Sequence, residues 1–159
     1  MLIWKRLKCL GIRQFLKLSG FFIKKPQYIL PAFKATEKTL KVCDQKFGNE
    51  HHLDNQANAY RHALWNFLLS DSFYKVSGSM DKAVFLSKMI TDLHEEIFPN
   101  SALSRMMDLH NNKIGRNLFF KDKDMDIILC LEQMVKDARK VNSEKDLRNL
   151  KDQLVYLKD

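Results

Sequence analysis

One stretch of the chain is apolar on nearly every side. From about Asn55 to Tyr74, Ala57, Tyr60, Ala63, Leu64, Trp65, Phe67, Leu68 and Leu69 leave no continuous polar face, the pattern of a helix buried at the centre of a domain. The flanking segments are amphipathic at helical spacing. Phe33, Thr36, Leu40, Cys43 and Phe47 form one stripe, with Pro31 in the first turn and Gly48 as the stop. After the Ser77-Gly78-Ser79 turn, Ala83, Leu86, Ile90, Leu93 and Ile97 form another, with Ser79 as a cap. Pro99-Asn100-Ser101 breaks that helix, and Ser101 caps the next. The next helix carries Met107, Asn111, Ile114 and Leu118 on one stripe and Asp108, Asn112 and Gly115 on the adjacent one. Ile127, Leu131, Met134, Ala138 and Val141 make a further core face. Ser143 with Asp146 resembles an acidic capping box, and Leu147, Leu150, Leu154 and Leu157 predict a closing amphipathic helix. No segment reads as a strand. The expected architecture is all-α, a single compact helical bundle of about six to seven helices around a buried central helix.

The N-terminal segment stands apart. Over residues 2–23, Ile3, Trp4, Leu7, Leu10, Phe15, Leu18, Phe21 and Phe22 fall on one side of a helix, and Lys5, Arg6, Lys8, Arg13 and Lys17 on the other. A membrane-surface helix has this pattern, and so has a helix packed on the domain with solvated lysines. The chain divides accordingly into residues 1–27, a basic amphipathic helix, and residues 28–159, the helical domain. The net charge of +8 follows the same division. Residues 1–41 hold ten Lys/Arg against one acid, and the remainder 17 against 18. A near-neutral body argues against nucleic-acid binding by the whole fold, and an anionic membrane surface is the expected partner of residues 1–27. No run is long and uncharged enough to span a bilayer, and the basic residues interrupt any secretory signal. Cys9, Cys43 and Cys130 are odd in number and far apart, which points to a reducing compartment rather than a disulfide framework. The expected location is cytoplasmic, at most peripheral at the inner face of the membrane.

Chemistry concentrates in three helices. The central one carries Asn58, Arg61, His62, Trp65 and Asn66. His94 and Glu95 sit on the next, and Asp108, His110, Asn111 and Asn112 on the one after. Polar groups on faces that must pack cost stability unless each finds a partner, so one shared site is the economical expectation. Two chemistries suit it. His62, His94, Glu95, Asp108 and His110 can supply ligands for a divalent metal that activates water, although the spacing matches no strong zinc motif. Alternatively, a His oriented by Glu95 or Asp108 acts as general base, while Arg61, Asn58, Asn111 or Asn112 steadies an anionic oxygen. Each residue also has a plain reading: a satisfied core histidine, a structural ion pair, and His51-His52 as surface loop residues.

The runs Asn58-Ala59-Tyr60-Arg61-His62-Ala63-Leu64-Trp65-Asn66, His94-Glu95, and Met107-Asp108-Leu109-His110-Asn111-Asn112-Lys113-Ile114-Gly115-Arg116 resemble a bacterial all-helical domain family of unknown function. The resemblance covers roughly residues 28–120. It is to the stand-alone form common in Bacteroidetes, and similar domains end large secreted toxin-like proteins. The resemblance implies membership, and its toxin-like contexts point to a hydrolase or toxin-type enzyme. The residues thus lead to a small helical hydrolase acting on a phosphate- or acyl-containing substrate, a membrane lipid among the candidates. His62, Glu95, Asp108, His94 and His110 are then the candidate catalytic groups, and Asn58, Arg61, Trp65, Asn111 and Asn112 the candidate substrate-binding ones. The alternative is a non-catalytic, membrane-associated or partner-binding protein whose polar cluster is a structural hydrogen-bond network.

Overall fold

A computed structural model of the chain describes residue 20, residues 23–97 and residues 101–158. The amphipathic helix expected over residues 2–23 lies almost entirely outside the described residues, as do residues 98–100. Among the described residues, six α-helices run in chain order: α1 (Ile29–Phe47), α2 (Gln56–Ser77), α3 (Met80–Ile97), α4 (Ala102–Lys121), α5 (Ile127–Lys136) and α6 (Glu144–Asn149). One-turn 3-10 helices at Pro26–Tyr28 and Glu50–His52 precede α1 and α2. None of the described helices is long and apolar enough to cross a membrane.

The bundle is centred on α2, as its all-round apolar pattern requires. The Asn55 side chain caps its start by accepting from the Asn58 amide, and Gly78, at φ 67°, ends it in the left-handed conformation. Helices α1, α3, α4 and α5 all pack against it. Tyr28, Tyr60, Leu64, Leu69, Phe73, Phe119 and Leu131 fill the core around it. Two edge-to-face aromatic pairs lock the layers, Tyr28–Phe73 at 5.3 Å and Phe67–Phe119 at 5.7 Å.

The face α1 turns inward differs from the expected stripe. Ala32, Ala35, Thr39 and Cys43 are buried, whereas Phe33 is 49% exposed. A row of small side chains lets α1 lie close on α2. The bulkier residues flank the contact, where Trp65 Nε1 of α2 donates to Thr36 Oγ1 of α1 at 2.9 Å.

The C-terminal segment also departs from expectation. The capping box forms, with the Ser143 and Asp146 side chains each accepting from the other's end of the turn, but α6 stops at Asn149 and the chain turns extended. Val155–Tyr156 pairs in parallel with Arg139–Lys140, giving two short strands, β1 (Arg139–Lys140) and β2 (Val155–Tyr156), that pattern alone did not predict. Leu154 joins the main core, and the other leucines at helical spacing serve a second, smaller one. There Leu147, Leu150 and Leu157 surround Met107, Val141 and Val155.

Helix α4 approaches α2 at backbone contact. A Cβ built on Gly115 would lie 2.0 Å from the Ala63 carbonyl oxygen and within 2.9 Å of the Ala63 Cα. No side-chain rearrangement relieves a clash with backbone. Gly115→Ala should therefore cost at least about 3 kcal/mol, at the upper end of overpacking penalties, measured by urea unfolding. A variant as stable as the parent would show that the two helices are not held at this separation.

Candidate functional site

The close α2–α4 contact brings His62, beside Ala63, against Asn112, one turn before Gly115. His62 Nδ1 lies 3.0 Å from Asn112 Oδ1. Asn112 Nδ2 donates to Glu95 Oε1 of α3 at 3.3 Å, and Glu95 Oε1 is 3.7 Å from His62 Nδ1. On the other edge of the ring, Nε2 lies 3.2 Å from Asp108 Oδ1 and 2.9 Å from the Arg61 guanidinium. Asn58 Nδ2 donates to Asp108 Oδ1 at 2.9 Å, and Arg61 donates to Asn58 Oδ1. His62, Glu95, Asp108, Asn58 and Asn112 are buried. Arg61 alone is half-buried, so it is the member that meets the surface.

These bonds assign the imidazole. Asn112 Oδ1 can only accept, so Nδ1 carries the hydrogen; Arg61 can only donate, so Nε2 presents its lone pair. Burial, and then the neighbouring guanidinium, lower the His62 pKa to about 3 and keep the ring neutral. Burial, and then the Asp108 charge, raise Glu95 to about 8, so its carboxyl holds a proton at neutral pH. A histidine and a carboxyl in contact are thus driven in opposite directions, an arrangement common at acid–base sites.

A second tier of bonds supports the site. Asn66 Nδ2 donates to Asn112 Oδ1 at 2.6 Å and to the His62 carbonyl at 3.0 Å. Its own Oδ1 accepts from Arg116 at 2.6 Å and from Thr91 at 3.1 Å. The Arg116 pKa falls to about 10 through burial, which leaves it charged at neutral pH. Ser87, Thr91 and Arg116 were not singled out in the sequence as site residues. The available signal was that each sits three or four positions from a core or site residue on a face that packs.

Several candidates lie elsewhere. His94 is half-buried with its ring edge-to-face with Trp65, centroids 5.1 Å apart. His110 Nε2 lies 2.9 Å from the Gln153 carbonyl, and burial lowers its pKa. Asn111 uses both ends of its amide on one residue, donating to the Val155 carbonyl at 2.9 Å and accepting from the Val155 amide at 3.0 Å. His110 and Asn111 therefore hold the C-terminal segment, and Trp65 holds α1. The plain reading of His51 as a surface residue is overturned as well, since its ring is fully buried. Cys43 is buried with its pKa pushed up to about 12, so it stays a thiol.

His62, Glu95 and Asp108 offer three ligand atoms within 4.8 Å of one another, a donor set that suits zinc, manganese or iron. A metal ion on Nε2 would have to displace the Arg61 guanidinium, which already sets a positive charge there.

A domain of unknown function, DUF6973, matches residues 19–143, most of the chain and all of the polar site, and the chain belongs to that family. No curated protein and no solved structure matches it.

The two shifted groups have opposite pH signatures. The folded chain resists protonation of His62, which the unfolded chain accepts near pH 6.5. That contribution is complete above pH 6.5 and is lost as the pH falls toward about 3. The folded chain keeps a proton on Glu95 that the unfolded chain releases near pH 4.5. That contribution is complete below pH 4.5 and is lost as the pH rises to about 8. The site's contribution should thus peak between pH 4.5 and 6.5. In urea unfolding from pH 6.5 to 8, the upper part of the Glu95 shift, Glu95→Gln should remove the decline seen in the parent. Parallel profiles would mean that Glu95 is ionised in the fold.

Proposed function

We propose that this member of the family is a small hydrolase acting at a phosphate or acyl centre, with His62 as general base. The observation that carries this reading is the pair of acceptor atoms, His62 Nε2 and Asp108 Oδ1, 3.2 Å apart, with the Arg61 guanidinium bonded to Nε2. An anionic substrate draws the half-buried Arg61 onto its own oxygen, and a water takes the vacated place between the two acceptors. The water gives one proton to Nε2 as its oxygen bonds to the phosphorus or carbonyl carbon. The bond to the leaving oxygen breaks, and the imidazolium returns the proton to that oxygen. Asn112 steadies Nδ1–H throughout, and Glu95 holds Asn112 in place by accepting from its Nδ2. Arg61 and Asn58 bind the anionic oxygen. The likeness of the three motifs to domains that end toxin-like proteins agrees with an enzymatic role.

A second reading is favoured by burial: five of the six side chains are closed from solvent, as in a network that only fixes helix packing. Activity separates the two. Against a panel of chromogenic phosphoesters and carboxylic esters, His62→Asn should lower kcat/KM by about 10²–10⁴-fold, with helix content by circular dichroism preserved. A folded His62→Asn that keeps full activity, or a parent inactive on every class, would favour the structural network.

Residues 1–27 would bring the enzyme to an anionic membrane surface and a lipid phosphoester into reach. Ile23, Ile29, Leu30 and Phe33, in or just after that segment of the chain, are exposed. The full chain should sediment with phosphatidylserine-containing vesicles, and less so at high salt. Equal recovery with neutral phosphatidylcholine vesicles would remove the anionic surface from this account.

A further inference from the structure

A second cluster of ligating side chains lies outside the site just described. Asp44 belongs to the last turn of α1, and His51 and His52 to the 3-10 turn that leads into α2. One atom from each lies within 4.8 Å of the others. Asp44 is 62% exposed at its side chain and bonds His51 Nε2 at 2.8 Å. His52 is half-buried, and its Nδ1 is 3.3 Å from Arg61.

Two observations mark the cluster as more than a turn. The His51 ring is fully buried, yet its Nδ1 has no hydrogen-bond partner. The nitrogen that faces the cluster is Nε2, held by the exposed Asp44 carboxylate, so a fully buried ring presents a ligand atom toward the surface. The cluster also borders an open cleft of about 290 Å³ lined by Leu40, Asp44, Gly48, Asn49 and His52. Gly48, at φ 55°, turns the chain there and brings the histidines back toward Asp44. The cleft gives an ion a way in and leaves room for water ligands.

We propose that Asp44, His51 and His52 form a binding site for a zinc-class divalent cation at the mouth of this cleft. Two imidazoles and one carboxylate suit a borderline first-row ion rather than magnesium or calcium, which prefer all-oxygen sets. Three protein ligands leave a coordination position open to water or substrate. The site stands independently of the hydrolytic reading but is linked to the inner polar site through Arg61, which bonds both His52 and His62. A metal on His52 Nδ1 takes the atom that accepts from Arg61. A metal on Nε2 puts the ring proton on Nδ1 and turns that acceptor into a donor. Either way the His52–Arg61 bond is lost, and the guanidinium is released on its outer side.

The test is titration of the chelator-stripped full chain with Co²⁺, followed by its visible absorption, and with Zn²⁺ in competition. Asp44→Asn and His52→Gln change residues that are not buried, so both should fold. The parent should bind one equivalent saturably. Each outer variant should weaken binding at least about tenfold, and Glu95→Gln should leave it unchanged. Absence of saturable binding in the parent overturns the proposal. So do outer variants that bind like the parent, and so does binding that Glu95→Gln abolishes, which would place the ion at the inner site.

Discussion

Backbone contact between α2 and α4 at Ala63 and Gly115 is the constraint on which the polar site depends. Only a residue without a Cβ fits there, and nearby positions on both helices form the polar site. His62 precedes Ala63 on α2. Asn112 lies one turn before Gly115 on α4, and Asp108 one turn before that. With the helices at this separation, the His62 ring reaches Asn112 with one nitrogen and Asp108 with the other. A wider spacing would leave five buried polar groups facing a gap, each at a cost of about 1–3 kcal/mol. Packing and polar satisfaction are therefore one condition: the glycine that lets the helices touch also lets the site be paired.

The pairing is economical in charge. Were His62, Glu95 and Asp108 all ionised, two negative charges and one positive would be enclosed together. The fold holds His62 neutral and Glu95 protonated, so that enclosed charge is reduced. Arg116 remains charged behind Asn66, whose carbonyl it shares with Thr91. Asparagine suits these junctions because one side chain both donates and accepts. Asn58, Asn66 and Asn112 each use both ends, donating with Nδ2 and accepting at Oδ1.

The helices were legible because apolar spacing reports burial directly, and the central role of α2 followed from its lack of a polar face. That the polar residues of three helices would meet was legible too, since buried polar groups need partners. Their partners were not. His94 and Glu95 are adjacent in sequence, yet a helix turns about 100° per residue, so Glu95 enters the site while His94 meets Trp65. Asn111 and Asn112 part in the same way, one toward Val155 and the other toward His62. The C-terminal leucines were misread because helical spacing cannot foresee a tertiary partner: the Asn111 amide engages the backbone of Val155 as a neighbouring strand would, and the extended chain is held there. His51 looked like a loop residue because its burial comes from the turn after Gly48, which has no periodic signature.

Arg61 gives the arrangement its direction. It touches His52 toward the cleft and His62 and Asn58 toward the interior, and among the six residues of the site it alone is only half-buried. A guanidinium has five donors and stays charged under all ordinary conditions, so it can exchange one acceptor for another without a change of protonation. A structural network closed for stability has no need of such a member, because a buried hydrophobic pair of similar volume would serve as well or better. A long cation in contact with both His52, which lines the cleft, and the neutral His62 imidazole is the feature on which the proposed exchange for an outside anion rests. The buried members set the geometry, and Arg61 is the part that meets the surface.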